Sequence, residues 1–527
     1  MRAAGTNKLL NLRGRNDKLI GGMNATIPDT KASGLRAFQW LALSASFVLF
    51  LALRLPWIGH LLTWDEAMNI CSVRAFAAHG HDFYSSWFWR RPPLYSLLLM
   101  MLFPQREGFI LRAQALSIAV STITFFMLFA VNRRVLGVAA ALWSVFFLAV
   151  MPGAVFFDVW LKQDSLVGIF GLLALLLFLK RRYLYSGLAL VFGFLSKELT
   201  LFYAIAIGIL WVLQPRERRS LGGILLLYLI AAAGAAWWYI IFSNSVKLVM
   251  IFMLNAQGTE TSVWIQPWYY FFAKMPADVG WLGMGLCLAG LFAFLRESRA
   301  GDPELERAWS VALLVPAYVV ISLIRGKTPW FVAVLFPALA TVQAVGVNGF
   351  CRWLSASGRS GHRRAAVAVA MLVVCAAVVG VWGRDYEETL RRQDSGYWWG
   401  SNASREAALK LNHHVREGER ALITPMFYWD TPSQVPCPIF TCYLKSMPVV
   451  VRKYNIPVDD LIADIKNCRI DWVMISPAPA VANKTIIEPL RKKCHLKPEA
   501  LQGGLIYHTT SLYQSSGPSN SVDKARR

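Results

Sequence analysis

Residues Pro92–Pro104 read PPLYSLLLMMLFP, thirteen residues, mostly apolar and closed by proline at both ends. A helix rises ~1.5 Å per residue, so this stretch covers about 20 Å, short of the ~30 Å hydrocarbon core of a bilayer. It predicts an interfacial or re-entrant helix rather than a span. That reading sets the topology of everything that follows it.

The surrounding chain is one in which spans abound. Of 527 residues, 56% are hydrophobic and only 16% charged, whereas soluble chains are roughly a quarter charged. Apolar runs fall at 37–57, 113–132, 135–157, 165–179, 183–196, 199–215, 220–243, 279–295, 308–324, 328–350 and 365–383. The runs at 165–179 and 183–196 are short and borrow flanking residues. The expected fold class is a polytopic α-helical membrane protein with eleven spans by this count, in a range of about 11–13.

The net charge of +23 does not point to nucleic acid, because of where it lies. Only +5 belongs to residues 384–527; the remaining +18 sits before them, in short clusters between apolar runs. With the N-terminus cytoplasmic and Pro92–Pro104 not spanning, Arg133-Arg134, KRR at 180–182, RERR at 216–219, RESR at 296–299 and RSGHRR at 359–364 all fall inside. Counting the short run as a span would put every one of them outside, against the positive-inside rule. Residues 1–36 carry seven Lys/Arg and two Asp, which reads as a cytoplasmic tail before a signal-anchor helix rather than a cleaved signal peptide. The domain reading is therefore a tail at 1–36, a membrane domain at 37–383 and an extracytoplasmic domain at 384–527. The first outer loop, 58–112, would hold interfacial helices.

Two basic clusters and one lysine break the charge rule: RRPP at 90–93, RGK at 325–327 and Lys197. Lysines that snorkel to lipid headgroups would account for any one of them. Three such sites on one face favour a shared anion, and a phosphate is the simplest.

Carboxylates share that face. Asp65 and Glu66 lie in TWDEAMN (63–69) after the first span, and Asp158 and Asp164 lie in FFDVWLKQDSLVG (156–168) after the third. KQDS also reads as a helix start with Asp164 as its cap. Carboxylates beside outward cations at a lipid surface suit transfer of a sugar from a lipid-linked phosphate. The leaving group is already an anion and needs cations, while the acceptor hydroxyl or amine needs a base. Asp65 has the type and place for that base. AHGHD (78–82) offers His79, His81 and Asp82 at strand-like spacing with no further His nearby, so a divalent metal stays open but is not predicted, and no cofactor is called for.

Residues 384–527 change character. SREAALKLNHHVREGE (404–419) reads as a capped amphipathic helix, further helices fall near 457–468 and 485–494, and strands at 421–429, 471–478 and 504–514. Together they predict a small extracytoplasmic α/β domain. Its Cys437, Cys442, Cys468 and Cys494 allow three disulfide pairings, or free thiols.

In order and placement these motifs resemble the GT-C glycosyltransferases of family 39, the branch of the protein O-mannosyltransferases and the lipid A aminoarabinose transferase. The acidic DE motif of the first outer loop is matched by Asp65-Glu66, and a KPPL-like motif by RRPPLY with Arg91 at the usual Lys. The Asp opening the fourth span is matched by Asp164, an LTKG-like end by LSKE, and a K-x-x-Y segment by KTPWFVAVLFP. Arg91 keeps the charge but presents a planar fork. Glu198 replaces a Gly, and Trp330 stands where Tyr is common.

The resemblance, which spans roughly residues 38–350, implies a polyprenyl-phosphate sugar donor, a lipid, glycan or protein acceptor, and inversion at the sugar carbon. The implied site has Asp65, Glu66 and Asp164 as its carboxylates and Arg90, Arg91, Lys197 and Lys327 on the phosphate. A transporter or flippase of a lipid-linked anion or sugar is the alternative. Transporters usually carry charges at span centres and repeated halves, and this sequence has neither.

Overall fold

The computed structural model describes residues 30–60, 62–79, 88, 91–242, 266–299, 305–324, 327 and 329–356, and from the rest 408–409, 413, 421–423, 449–451, 463, 472–475, 499–501 and 504–508. Ten of the eleven apolar runs coincide with described helices; the run at 365–383 lies outside the described residues, as do Arg90, His81, Asp82 and the four C-terminal cysteines.

The first helix, α1 (Thr30–Arg54), ends where Pro56 follows, and α2 (Trp64–Ala77) opens the loop region. The helix α3 (Pro93–Met100) has eight residues, about 12 Å of rise, far less than a bilayer core. It begins as prolines dictate: neither Pro92 nor Pro93 has an N–H to leave unpaired. Then come α4 (Phe109–Val135), α5 (Val138–Val150), α6 (Pro152–Asp158), α7 (Asp164–Leu179), α8 (Tyr183–Phe194), α9 (Leu201–Leu213) and α10 (Leu221–Ala236). After the undescribed 243–265 follow α11 (Tyr270–Val279), α12 (Trp281–Arg299), α13 (Trp309–Leu323) and α14 (Phe336–Ala356).

Among the described residues four helices are long and apolar enough to cross a membrane, or six if each of two bent pairs is one span. Four more are apolar but shorter. Both bends have a backbone cause. α5 and α6 meet at 67° where Pro152 cannot continue the hydrogen-bond ladder, and α11 and α12 meet at 111° across Gly280, at φ +77°.

α14 lies largely buried in the bundle. α12 approaches it so closely that a Cβ on Gly290 would stand 2.1 Å from the Val342 carbonyl oxygen, and one on Gly346 would stand 2.4 Å from that of Leu286. Small residues at such crossings let helices associate where lipid supplies no hydrophobic drive. A buried polar tie adds to this: Asn132 of α4 donates to Thr341 of α14 at 2.8 Å and accepts from the Trp309 indole of α13 at 3.0 Å.

Beyond residue 400, five short strands form one sheet ordered β2-β1-β3-β5-β4: β1 (Ala421–Ile423), β2 (Val449–Val451), β3 (Trp472–Ile475), β4 (Glu499–Leu501) and β5 (Gly504–His508). β1 runs parallel to β2 and β3, while β5 is antiparallel to β3 and β4. The strand readings at 421–429, 471–478 and 504–514 each contain one of these, and β2 and β4 are additional. Of the predicted helices only Ala408, Leu409, His413 and Ala463 are described, each helical.

Candidate active site

The centre of the site is the start of α2. Thr63 caps the helix with its hydroxyl on the Glu66 amide, and the Glu66 carboxylate returns to the Thr63 amide at 2.7 Å, a reciprocal capping box. This fixes Asp65 and Glu66 on different sides of the first turn, and they do different things.

Glu66 is fully buried. Its Oε1 accepts from the Leu161 amide at 2.9 Å and stands 2.9 Å from His60 Nε2. Burial works against its charge, but His60 and the Thr63 and Leu161 amides outweigh that and hold its pKa below the usual carboxylate range. Both oxygens of its carboxylate are thus bonded into the frame. The signal was legible in Thr63-x-x-Glu66, a capping-box spacing.

Asp65 is 24% exposed at its side chain. Its Oδ2 lies 2.9 Å from Lys162 Nζ, and its Oδ1 lies 3.6 Å from an Arg91 nitrogen. Burial alone would raise its pKa; Lys162 and Arg91, with Lys197 further off, outweigh it and hold the carboxyl well below its ordinary range. Asp65 is therefore ionised and still reachable.

Arg91 arrives on the turn before α3, where it also donates to Asn69 Oδ1 at 3.3 Å. That turn is anchored by the Leu94 amide, which donates to the Leu195 carbonyl at 3.0 Å and so seats the RRPPLY segment beside the loop that carries Lys197. Lys197 donates to Asp164 Oδ1 at 2.7 Å. Asp164 is the first residue of α7, and Gln163 holds the cap position with no side-chain cap bond, so Asp164 does not cap that helix. Its other oxygen, Oδ2, is buried with no hydrogen-bond partner among the described residues.

Asp158 does not join this group. It pairs with Arg54 of α1, whose Nε and Nη2 lie 2.9 and 2.7 Å from Asp158 Oδ2. Lys327 is buried, and its ammonium donates to the carbonyls of Gln266 at 3.0 Å and Ile324 at 2.6 Å. Glu198 opens a short 3-10 turn and interacts with Tyr239. No cluster of three or more His, Cys, Asp or Glu suited to a metal occurs among the described residues.

One central residue has no motif to mark it. Lys162 bonds Asp65 and lies over two indole rings, 3.4 Å from the centroid of Trp330 and 4.5 Å from that of Trp160. The only hint was its place two residues before Asp164. The loop that carries it is clamped by α2: the Leu161 amide goes to Glu66, and the Leu161 carbonyl accepts from Asn69 Nδ2 at 2.7 Å.

Apolar helices in this order, with a carboxylate among cations at their loop ends, form a fold that two solved structures share. ArnT from Cupriavidus metallidurans bound to undecaprenyl phosphate superposes with a TM-score of 0.60 at 15% identity, covering 92% of this chain and 99% of that one. The Archaeoglobus fulgidus oligosaccharyltransferase AglB, in complex with an inhibitory peptide and a dolichol-phosphate, gives 0.54 at 13% identity over 92% of this chain and 75% of that one. No protein-family model and no curated protein matches the sequence.

Proposed function

We propose that this chain is a membrane glycosyltransferase that moves a sugar from a polyprenyl-phosphate donor to an acceptor hydroxyl or amine at the extracytoplasmic surface. The observation that carries the reading is Asp65: an accessible carboxylate held ionised by Lys162 and Arg91, beside the Asp164–Lys197 pair. Three cations there face two carboxylates, leaving a positive excess of the sign a phosphate needs. The fold shared with ArnT and AglB supports it.

In this reaction the acceptor attacks the sugar carbon opposite the phosphate. A new carbon–oxygen or carbon–nitrogen bond forms as the carbon–phosphate-oxygen bond breaks, and configuration inverts. The leaving phosphate takes the electron pair, and the acceptor proton passes to Asp65. Arg91 and Lys197 neutralise the phosphate as its charge grows. Asp164 orients Lys197 and offers Oδ2 to a sugar or acceptor hydroxyl. Lys327, tied to two carbonyls, adds field at the site's edge, and Arg90 stands next to Arg91 in sequence. In this reading the N-terminal tail is cytoplasmic, and residues 384–527 form an α/β domain on the same side as the site, as the positive-inside charge pattern supports.

The test is turnover by the purified protein with a panel of polyprenyl-phosphate sugars, read as released polyprenyl phosphate. Asp65→Asn should lose at least about 100-fold, the typical contribution of a general base. Undiminished turnover in that variant overturns the assignment, and movement of donor across vesicles without phosphate release would favour a flippase.

A further inference from the structure

Lys162 and Trp330, far apart in sequence, meet at one point: the Lys162 ammonium lies 3.4 Å from the Trp330 ring centroid, in an indole pair completed by Trp160. Indole offers the strongest cation–π face among the aromatic side chains, stronger than phenol. The lysine is held from three directions. The rings fix its head, Asp65 Oδ2 takes it at 2.9 Å, and its loop is pinned through Leu161 to Glu66 and Asn69. Arg91, by contrast, meets Asp65 at 3.6 Å from a side chain that is 26% exposed.

We propose that Lys162 is a positioning residue for Asp65, caged by Trp160 and Trp330 so that Asp65 keeps a cationic partner when a lipid phosphate draws Arg91 away. The inference rests on the reading of Asp65 as base. Among the described residues, the charged groups facing Asp65 are Lys162 from the 159–163 loop, Arg91 from the turn before α3 and, further off, Lys197; Asp164 faces Lys162 and Lys197. Lys197 is already bonded to Asp164. Once Arg91 turns to a phosphate, an Asp65 without Lys162 would sit in a largely buried site with no adjacent cation among the described residues and would take up a proton, after which it could accept none from substrate. A free lysine would follow the phosphate as readily as Arg91, and the cage prevents it.

Asp65 protonation can be read without turnover. Dicyclohexylcarbodiimide labels protonated carboxyls, and fragment-ion mass spectrometry separates label on Asp65 from label on Glu66. In the full-length protein in detergent, Lys162→Met should move the onset of Asp65 labelling upward by about one pH unit or more, the scale of losing an adjacent opposite charge. Lys162→Gln should do the same, and Lys162→Arg should restore the wild-type onset. Added undecaprenyl phosphate should leave the wild-type onset in place but raise that of Trp330→Phe, whose lysine is freer to follow the phosphate. An onset unmoved in both Lys162→Met and Lys162→Gln overturns the proposal, and a Trp330→Phe onset indifferent to the lipid overturns the cage. Failure of the base assignment would appear separately, as turnover retained in Asp65→Asn.

Discussion

Two ion pairs of this molecule share the same chemistry, an arginine and an aspartate brought together from distant segments, yet they are built to opposite ends. Arg54 is fully buried and every N–H of its guanidinium is used: two go to Asp158 and three to the carbonyls of Phe50, Leu148 and Ala149. Its plane also lies 3.7 Å from the Phe50 ring centroid. Arg91 meets Asp65 at a loose 3.6 Å, and both side chains remain about a quarter exposed. The first pair is closed and ties α1 to the α5–α6 bend. The second is partly exposed, within reach of a ligand. Identical residue types thus serve frame or chemistry according to how far the fold has buried them.

The sharpest way to break this comparison is Arg54→Met. Removing one partner of a buried pair strands the other charge, with a typical cost of about 3–5 kcal/mol. Thermal unfolding in detergent should fall accordingly, and Arg54→Met with Asp158→Leu should recover part of the loss. Turnover per folded molecule should stay near wild type. A stability change below ~1 kcal/mol in Arg54→Met would deny the pair its structural role.

Arg91→Met is the matching change at the open pair, with the consequences reversed. A partly exposed pair contributes about 0–1 kcal/mol, so unfolding should scarcely move. Undecaprenyl phosphate should bind about 10–100-fold more weakly, the scale of a lost hydrogen bond to a charged group at 1.5–3 kcal/mol. Unchanged lipid binding, or destabilisation equal to that of Arg54→Met, would erase the distinction between the two pairs.

How far the sequence discloses this division depends on the kind of signal. The helices were legible because an apolar run of bilayer length admits almost no other structure, and ten of the eleven runs are helical where described. The bends at Pro152 and Gly280 were visible as residues but not as angles, because packing against α14 and its neighbours sets the angle. In the site, the grouping of Asp65, Arg91, Asp164 and Lys197 follows the order of motifs. Lys162 does not, since a cation–π contact to Trp330 crosses more than 160 residues and leaves no spacing to read. Asp158 misled in the other direction. It shares a stretch with Asp164, but its partner Arg54 lies at the end of an apolar run where a basic residue passes for an ordinary helix flank. The frame contact of Glu66 is local, a capping box readable as Thr63-x-x-Glu66.

The smallest effect concerns that frame carboxylate and tests whether the closed side of the site behaves like the Arg54 pair. His60 Nε2 stands 2.9 Å from Glu66, while its Nδ1 stands 2.9 Å from the Trp57 carbonyl and 3.1 Å from the Gln114 amide nitrogen, so Nε2 meets an acceptor and Nδ1 meets both an acceptor and a donor. Burial opposes a charge on the ring, but Glu66 and the Trp57 carbonyl outweigh it and raise the imidazole pKa in the folded state. A raised histidine contributes fully below its unfolded value of about 6.5 and loses that contribution as the pH climbs through the folded value. The depressed Glu66 contributes fully above its unfolded value of about 4.3 and loses that only as the pH falls through its lower folded value. The pair is therefore strongest between roughly pH 4.3 and 6.5 and weakens first on the alkaline side, by about 1.4 kcal/mol for each unit separating folded and unfolded pKa. Wild-type melting should decline from pH 6 to pH 9, and His60→Gln, which has no proton to lose, should flatten that slope and converge with wild type at the alkaline end. If the slope persists in His60→Gln, the imidazole is neutral in the folded protein and Glu66 draws its stability from the Thr63 and Leu161 amides alone.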